Sequence, residues 1–337
     1  MRLLYFTDTH IRGTAPRSRT DDFQDTLRRK LDEVIGIAER EQVDVILHGG
    51  DVFDRPNLSP AVVREFAEQF RRFRAPVYAI AGNHDIYGHN PATLERTMLG
   101  LLEAFGMLRL IREGERILLE KDGVTVQLSG QPFHYDLDRR EKALDYAVKN
   151  EVGAKYCIHM VHGMLVDKNL PDGVPHTLVH EVWSEDVDIL LTGHYHNGFD
   201  IQRKDGKYII NPGALVRINN NKAEIHRKPQ VVLIELDEEI RIERIPLQCA
   251  KPGPEVLDRT YIEEAAYRDK QLDDFISALK RAMDFKAIAV KDIINNLVNE
   301  QLKDVEKEEK KREIEEIRER AMEYIEKAEV AEGEAAQ

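Results

Sequence analysis

Cysteine is nearly missing from this chain. Only Cys157 and Cys249 are present. They lie far apart without the paired spacing of a zinc site, which argues against a disulfide framework and predicts reduced thiols in a cytoplasmic protein. No run of 18 apolar residues occurs, so no membrane-spanning helix is expected. The first ten residues enter a strand-like run at once, without the apolar core and cleavage site of a secretory leader. Net positive charge is missing too: 49 basic against 62 acidic residues leave −13. Residues 251–337 hold 16 basic and 23 acidic residues, or −7, so residues 1–250 carry −6. That is not the basic footprint of a general nucleic-acid binder. Two bound divalent cations would offset most of the deficit in the body of the chain.

The 337 residues suffice for one large domain or two smaller ones. Short β-branched runs at 3–6, 44–47, 77–80, 124–128, 156–161 and 187–191 read as strands. Between them, 21–41, 60–73 and 137–150 show helical periodicity, an alternation that predicts an α/β fold. After residue 196, runs at 208–210, 231–236 and 240–245 suggest an antiparallel finish. The segment Ala250-Lys251-Pro252-Gly253-Pro254 is the best boundary. It predicts a catalytic domain over 1–249, a linker and helical cap-like segment over 250–286, and a charged amphipathic helical tail over 287–337. Within that tail, apolar residues between 288 and 328 recur at three- and four-residue spacing on either side of a mostly charged stretch at 306–313, a pattern suited to docking on another coil or folding back on the domain.

The chemistry-bearing residues fall just after the expected strands. Asp8 and His10 follow the first, and Asp51 follows the second through Gly49-Gly50. Asn83 and His84 follow the third through Gly82, His162 the fifth, and His194 and His196 the sixth through Gly193. In open α/β sheets, ligands bind at the carboxyl ends of strands. Imidazoles and carboxylates together suit divalent ions of intermediate hardness such as manganese, iron and zinc. A shared carboxylate can hold two such ions about 3.5–4 Å apart. Each piece alone is weak, because a single histidine after a strand is more often structural and Gly-Asn-His-Asp alone could be a turn.

The ordered set Asp8-Thr9-His10, Gly50-Asp51-Val52-Phe53-Asp54, Gly82-Asn83-His84-Asp85, His162-Gly163 and Gly193-His194-Tyr195-His196 resembles the signature of the calcineurin-like metallophosphoesterases. The resemblance covers about residues 1–246 and implies two mixed β-sheets sandwiched and flanked by helices. It implies that Asp8, His10, Asp51 and His196 hold one ion, and that Asp51, Asn83, His162 and His194 hold the other. It also implies that His84, oriented by Asp54, acts on the substrate, with Arg55 touching phosphate. In that family the two cations acidify a water that attacks phosphorus in line, so no protein nucleophile is needed. Manganese is the expected ion, since magnesium prefers oxygen ligands and keeps its waters.

Three features tilt the resemblance toward DNA nucleases of the SbcD type. A loop after the first motif carries Arg12, Arg17 and Arg19, which would suit a phosphate backbone. Residues 211–217, Asn-Pro-Gly-Ala-Leu-Val-Arg, resemble a segment found at the matching place in that family. The tail beyond the catalytic domain is the third. The resemblance implies binding to the coiled-coil base of an SMC-like ABC ATPase of the SbcC type, and a homodimer of nuclease subunits. The family's usual mixed α/β cap does not fit a tail that reads as almost wholly helical. His134 is a further candidate near the site. Two other readings stay open, a phosphatase or phosphodiesterase acting on a small phosphoester, and a non-catalytic scaffold.

Overall fold

The computed structural model describes residues 1–171 and 173–258, and beyond them only 260, 270–272, 274–276, 295, 298, 299, 302, 310–312 and 314–323. The elements run β1 (Arg2–Phe6), α1 (Phe23–Arg40), β2 (Val45–His48), α2 (Pro60–Phe70), β3 (Val77–Ala79), α3 (Met98–Ala104), β4 (Arg109–Leu110), β5 (Arg116–Lys121) and β6 (Val124–Gln131). There follow α4 (Ala143–Tyr146), β7 (Tyr156–Val161), β8 (Leu165–Val166), β9 (Thr177–Leu178), β10 (Ile189–Thr192), β11 (Gln202–Lys204) and β12 (Lys207–Ile210). Within residues 1–258 the last are α5 (Lys222–His226), β13 (Gln230–Leu236), β14 (Ile240–Pro246) and α6 (Gly253–Val256). Two six-stranded sheets result, in the orders β14-β13-β1-β2-β3-β4 and β11-β12-β10-β7-β6-β5, with β8-β9 as a small separate pair.

Both sheets are mixed. β1, β2, β3 and β4 are parallel, and so are β6, β7, β10 and β12, with antiparallel strands at the edges. The alternation of side chains along a strand sorts the core. Leu3 and Tyr5 of β1 pack with Val126, Leu128, Ile158 and Met160 of the other sheet. Leu4 and Phe6 belong instead to the cluster that includes Leu27, Leu31 and Val34 of α1. This is the sandwich with flanking helices that the alternation and the motif order predicted. α1 starts where the Asp22 carboxylate accepts the Asp25 N–H at 3.0 Å. Its apolar residues, three and four apart, bury one face.

Two expectations change. The helix expected over 137–150 is reduced to α4. Asp138 takes a left-handed conformation, φ 65°, which a helix interior does not tolerate. Its carboxylate accepts hydrogen bonds from Tyr146 Oη, Thr177 Oγ1 and the Met164 N–H instead. The antiparallel finish holds for β13 and β14, but β12 lies parallel to β10.

The first compact unit extends to Arg259, because Asp258 N–H donates to Ser18 O at 2.8 Å and Thr20 N–H to Val256 O at 3.2 Å. The second unit is Thr260–Gln337. Most of the helix expected at 261–285 and of the stripe at 288–328 lies outside the described residues. Among those described, 314–323 are helical, and Val298 is buried against Phe275, Leu302, Ile314, Ala321 and Met322.

Candidate metal centre

Short loops at the carboxyl ends of β1, β2, β3, β7 and β10 converge on one rim. Asp8, His10, Asp51 and His194 all take left-handed backbone conformations, with φ of 54°, 42°, 51° and 72°. Residues without glycine's freedom rarely adopt them, and such strain clusters at functional sites. The loops are tied to each other: Asp8 N–H donates to Gly50 O, His10 N–H to Asp51 O and Gly193 N–H to Val161 O. Gly50 is required twice, since its φ is 102° and a Cβ there would sit 2.3 Å from His162 Nδ1.

Three groups of potential ligand atoms form among the described residues: Asp8, His10, Asp51 and His196; Asp51, His162 and His194; and His10, Asp54 and His84. Asp51 belongs to the first two. Its Oδ1 accepts the His84 N–H at 2.9 Å. Its Oδ2, buried and without a hydrogen-bond partner, lies 3.3 Å from His162 Nε2 and 3.6 Å from His10 Nε2. His162 Nδ1–H donates to Gly49 O at 2.7 Å, which turns Nε2 toward Asp51. That Nε2 is another buried atom with no hydrogen-bond partner, as is Asn83 Oδ1. The Nε2 atoms of His10 and His196 are 3.0 Å apart, and two lone pairs cannot face each other so closely without a proton or cation between them. Buried polar atoms left in this state are costly. The chemistry of these donors fits divalent cations.

The electrostatics divide the imidazoles: against burial, the charge of Asp51 raises His162 to about 9, and the hydrogen bond and charge of Asp8 raise His196, so each of these two holds a proton that a bound cation would displace. Burial would raise the Asp51 carboxyl, but the charge of His162 holds it well below the usual carboxylate range. Asp8 behaves likewise against burial, through His196. Burial lowers His10 to about 3 despite the opposing charge of Asp51. Burial and then the charge of His162 take His194 down to about 4. Both imidazoles are thus neutral and able to ligate.

A family model for the calcineurin-like phosphoesterases matches residues 1–198. The chain is a calcineurin-like phosphoesterase. The double-strand break repair protein MRE11 of Encephalitozoon cuniculi is 24% identical over 324 residues, which are 83% of this chain and 53% of that protein. The DNA double-strand break repair protein Mre11 of Thermoplasma acidophilum is 25% identical over 264 residues, 74% of this chain and 66% of that one. The SbcD subunit of the SbcCD nuclease of Bacillus subtilis is 27% identical over 237 residues, 60% and 59% respectively. The chain spans between about half and two thirds of the length of these relatives.

In this calcineurin-like phosphoesterase His84 stands beside the ligands, its ring centroid 4.8 Å from that of His10. It is oriented by the main chain of Asp54: Nδ1–H donates to the Asp54 carbonyl at 2.7 Å. The Asp54 carboxylate faces Arg12 at 3.2 Å and His10 Nδ1 at 3.8 Å. Arg17 and Arg55 are exposed. Arg19 turns inward, pairing with Asp21 and Arg217 O, so the loop after the first motif is less basic than its sequence suggests. His134 joins none of the ligand groups, and its Nε2 meets Asp145 at 3.0 Å.

Two residues that order the centre were not singled out from sequence. Asp85, fully buried, accepts the N–H groups of Val52, Phe53 and Gly82 and so joins the Asp51 loop to the Asn83 loop. The amides that it satisfies lie in two loops about 30 residues apart, which sequence alone does not bring together. His48 accepts the Gly50 N–H at Nδ1 and meets Thr9 Oγ1 at Nε2, linking the first two motifs.

Proposed function

We propose that this phosphoesterase is a metal-dependent DNA nuclease that hydrolyses phosphodiester bonds, the nuclease subunit of a DNA-repair or recombination assembly. The observation that carries the reading is Asp51, shared between two groups of buried, unsatisfied ligand atoms, with His84 beside them. The names of the relatives support DNA as the substrate class. Asp8, His10, Asp51 and His196 would hold one cation, and Asp51, Asn83, His162 and His194 the other. A bound pair would supply charge neutralisation for the phosphodiester and a water acidified toward neutral pH. The mixture of nitrogen and oxygen donors favours manganese.

The protein's own residues do the rest. His84, fixed through Nδ1, presents Nε2 to the substrate and protonates or stabilises the departing oxygen. Asp54 anchors it through its carbonyl while its carboxylate holds Arg12 at the rim. Arg12, Arg17 and Arg55 contact flanking phosphates. The tail binds the coiled coil of an SMC-like ABC ATPase. The protein pairs with a second copy of itself, for which Leu101 of α3 and Phe105 just past the end of that helix, both exposed, provide an apolar contact. The two free thiols suit the cytoplasm.

Two observations favour a second reading, a phosphodiesterase acting on a small phosphoester. The chain carries −13 overall and Arg19 is withdrawn from the rim. Turnover of duplex and single-stranded DNA, compared with a chromogenic phosphodiester under manganese, separates the two. DNA cleavage that falls steeply with salt supports the nuclease. Turnover of the small diester alone supports the other.

A further inference from the structure

We propose that Lys30 of α1 is a positioning residue for the ion held by Asp8, His10, Asp51 and His196, acting through the main chain of residues 214–217. The proposal rests on the two-ion reading above. Lys30 sits on the buried face of its helix, 1% exposed. A lysine is almost never found so deep without a partner. Its ammonium group donates to Leu215 O at 2.8 Å. Burial, with Arg19, Arg217 and Arg227 nearby, pushes its pKa well below the ordinary lysine value. The site is therefore an expensive one in which to keep a lysine, and surface solvation does not account for it.

The carbonyl it meets belongs to a series. Ala214 O accepts from Arg227 Nη1, Leu215 O from Lys30, Val216 O from Arg227 Nη2 at 2.7 Å, and Arg217 O from Arg19 Nη1 at 3.1 Å. Four successive carbonyls of an irregular segment are thus each satisfied by a cationic side chain. The side chains of Ala214, Leu215 and Val216 are buried, so water does not replace these donors, and a carbonyl left alone there costs about 1–3 kcal/mol.

The other edge of the same segment faces the metal centre. Ala214 N–H donates to His196 O at 2.9 Å and Leu215 N–H to Thr7 O at 3.0 Å. His196 is a ligand and Thr7 precedes the ligand Asp8. Leu215 therefore stands between Lys30 on one side and the Asp8 loop on the other. Displacing its carbonyl displaces the hydrogen bond that sets where Asp8 begins. Asp8 and His196 belong to one of the ligand groups and not to the one formed by Asp51, His162 and His194. Lys30 thus bears on one ion more than on the other.

The test is manganese binding to the full chain, followed by calorimetric titration with folding monitored by circular dichroism. Wild type binds two ions. Lys30→Met, similar in length but without the donor, keeps one ion at wild-type affinity and binds the other about 10–100-fold more weakly, the usual effect of losing a partner behind a ligand. Lys30→Arg, which keeps a donor near Leu215 O, restores most of the loss. Should Lys30→Met fail to fold, Arg227→Gln, which frees the carbonyls of 214 and 216, must show the same one-sided loss. Unchanged affinities, or equal weakening at both sites in a folded variant, overturns the role of Lys30. A wild type that binds fewer than two ions overturns the two-ion reading instead.

Discussion

Substituting alanine for Gly82 tests the proposed sharing of Asp51 between two ions without replacing any candidate ligand. A Cβ at Gly82 would lie 2.1 Å from Asp51 Oδ1, 2.4 Å from Asp51 N and 2.7 Å from Asp51 Cγ. Ordinary contact begins at 3.4 Å, so the carboxylate has to retreat by more than about 1 Å, whereas metal–ligand distances tolerate only about 0.2 Å. The neighbouring atoms include backbone, and Asp51 is held by His10 N–H at its carbonyl and by His84 N–H at Oδ1, so little of the shift can be absorbed elsewhere. Overpacking of this kind costs about 1–3 kcal/mol of stability, which leaves the domain folded. The expected outcome is a folded Gly82→Ala protein that has lost both ions, because both share Asp51. Elemental analysis after gel filtration and thermal melting with and without manganese measure it: wild type melts higher with the ion and the variant does not. Gly36→Ala is the control. Gly36 lies in α1, and a Cβ added there would meet nothing within 4 Å. A helix-interior Gly→Ala change of that kind is expected to add up to about 1 kcal/mol. A Gly82→Ala protein that keeps two ions at wild-type affinity would refute the reasoning.

His84→Ala should retain both ions and lose about a hundredfold or more in turnover, the scale of general acid catalysis; a metal-free His84→Ala protein would remove it from the substrate side of the centre. Asp51→Ala, by contrast, should lose metal as well as turnover, read by the same elemental analysis. Both thiols should resist alkylation at pH 8 in the folded protein and react once unfolded. Burial and then the charge of Asp188 raise Cys157 to about 11, and burial and then the hydrogen bond to Glu33 raise Cys249 to about 12. A raised thiol pKa keeps the unreactive protonated form until the pH approaches that value, so rapid labelling at pH 8 would contradict the burial. Activity should be lost in chelator and return with manganese more than with magnesium, as initial rates would show.

Much of the candidate centre was legible because its candidate ligands come from strand ends, where short β-branched runs and adjacent glycines mark the turns. Asp8, His10, Asp51, His162, His194 and His196 needed only that placement to be brought together. What stayed hidden depends on direction or on three-dimensional hydrogen bonding. Arg19 lies in a polar loop, yet Asp21 and Arg217 O draw it inward. The Asp54 carboxylate points to Arg12 while its carbonyl takes the role expected of the side chain. The helix expected at 137–150 shows the limit of periodicity, since Asp138 trades helical conformation for three hydrogen bonds from distant residues. Lys30 was one polar residue on an apolar face, and only the course of residues 214–217 gives it a partner.

The account is tested most directly by stripping the full chain with chelator, adding manganese back in steps, and following bound ions and cleavage of linear duplex and single-stranded DNA in the same samples. It predicts two ions per chain and DNA cleavage that appears as the second site fills. Two bound ions with no cleavage of either DNA, or cleavage that persists without metal, would contradict it.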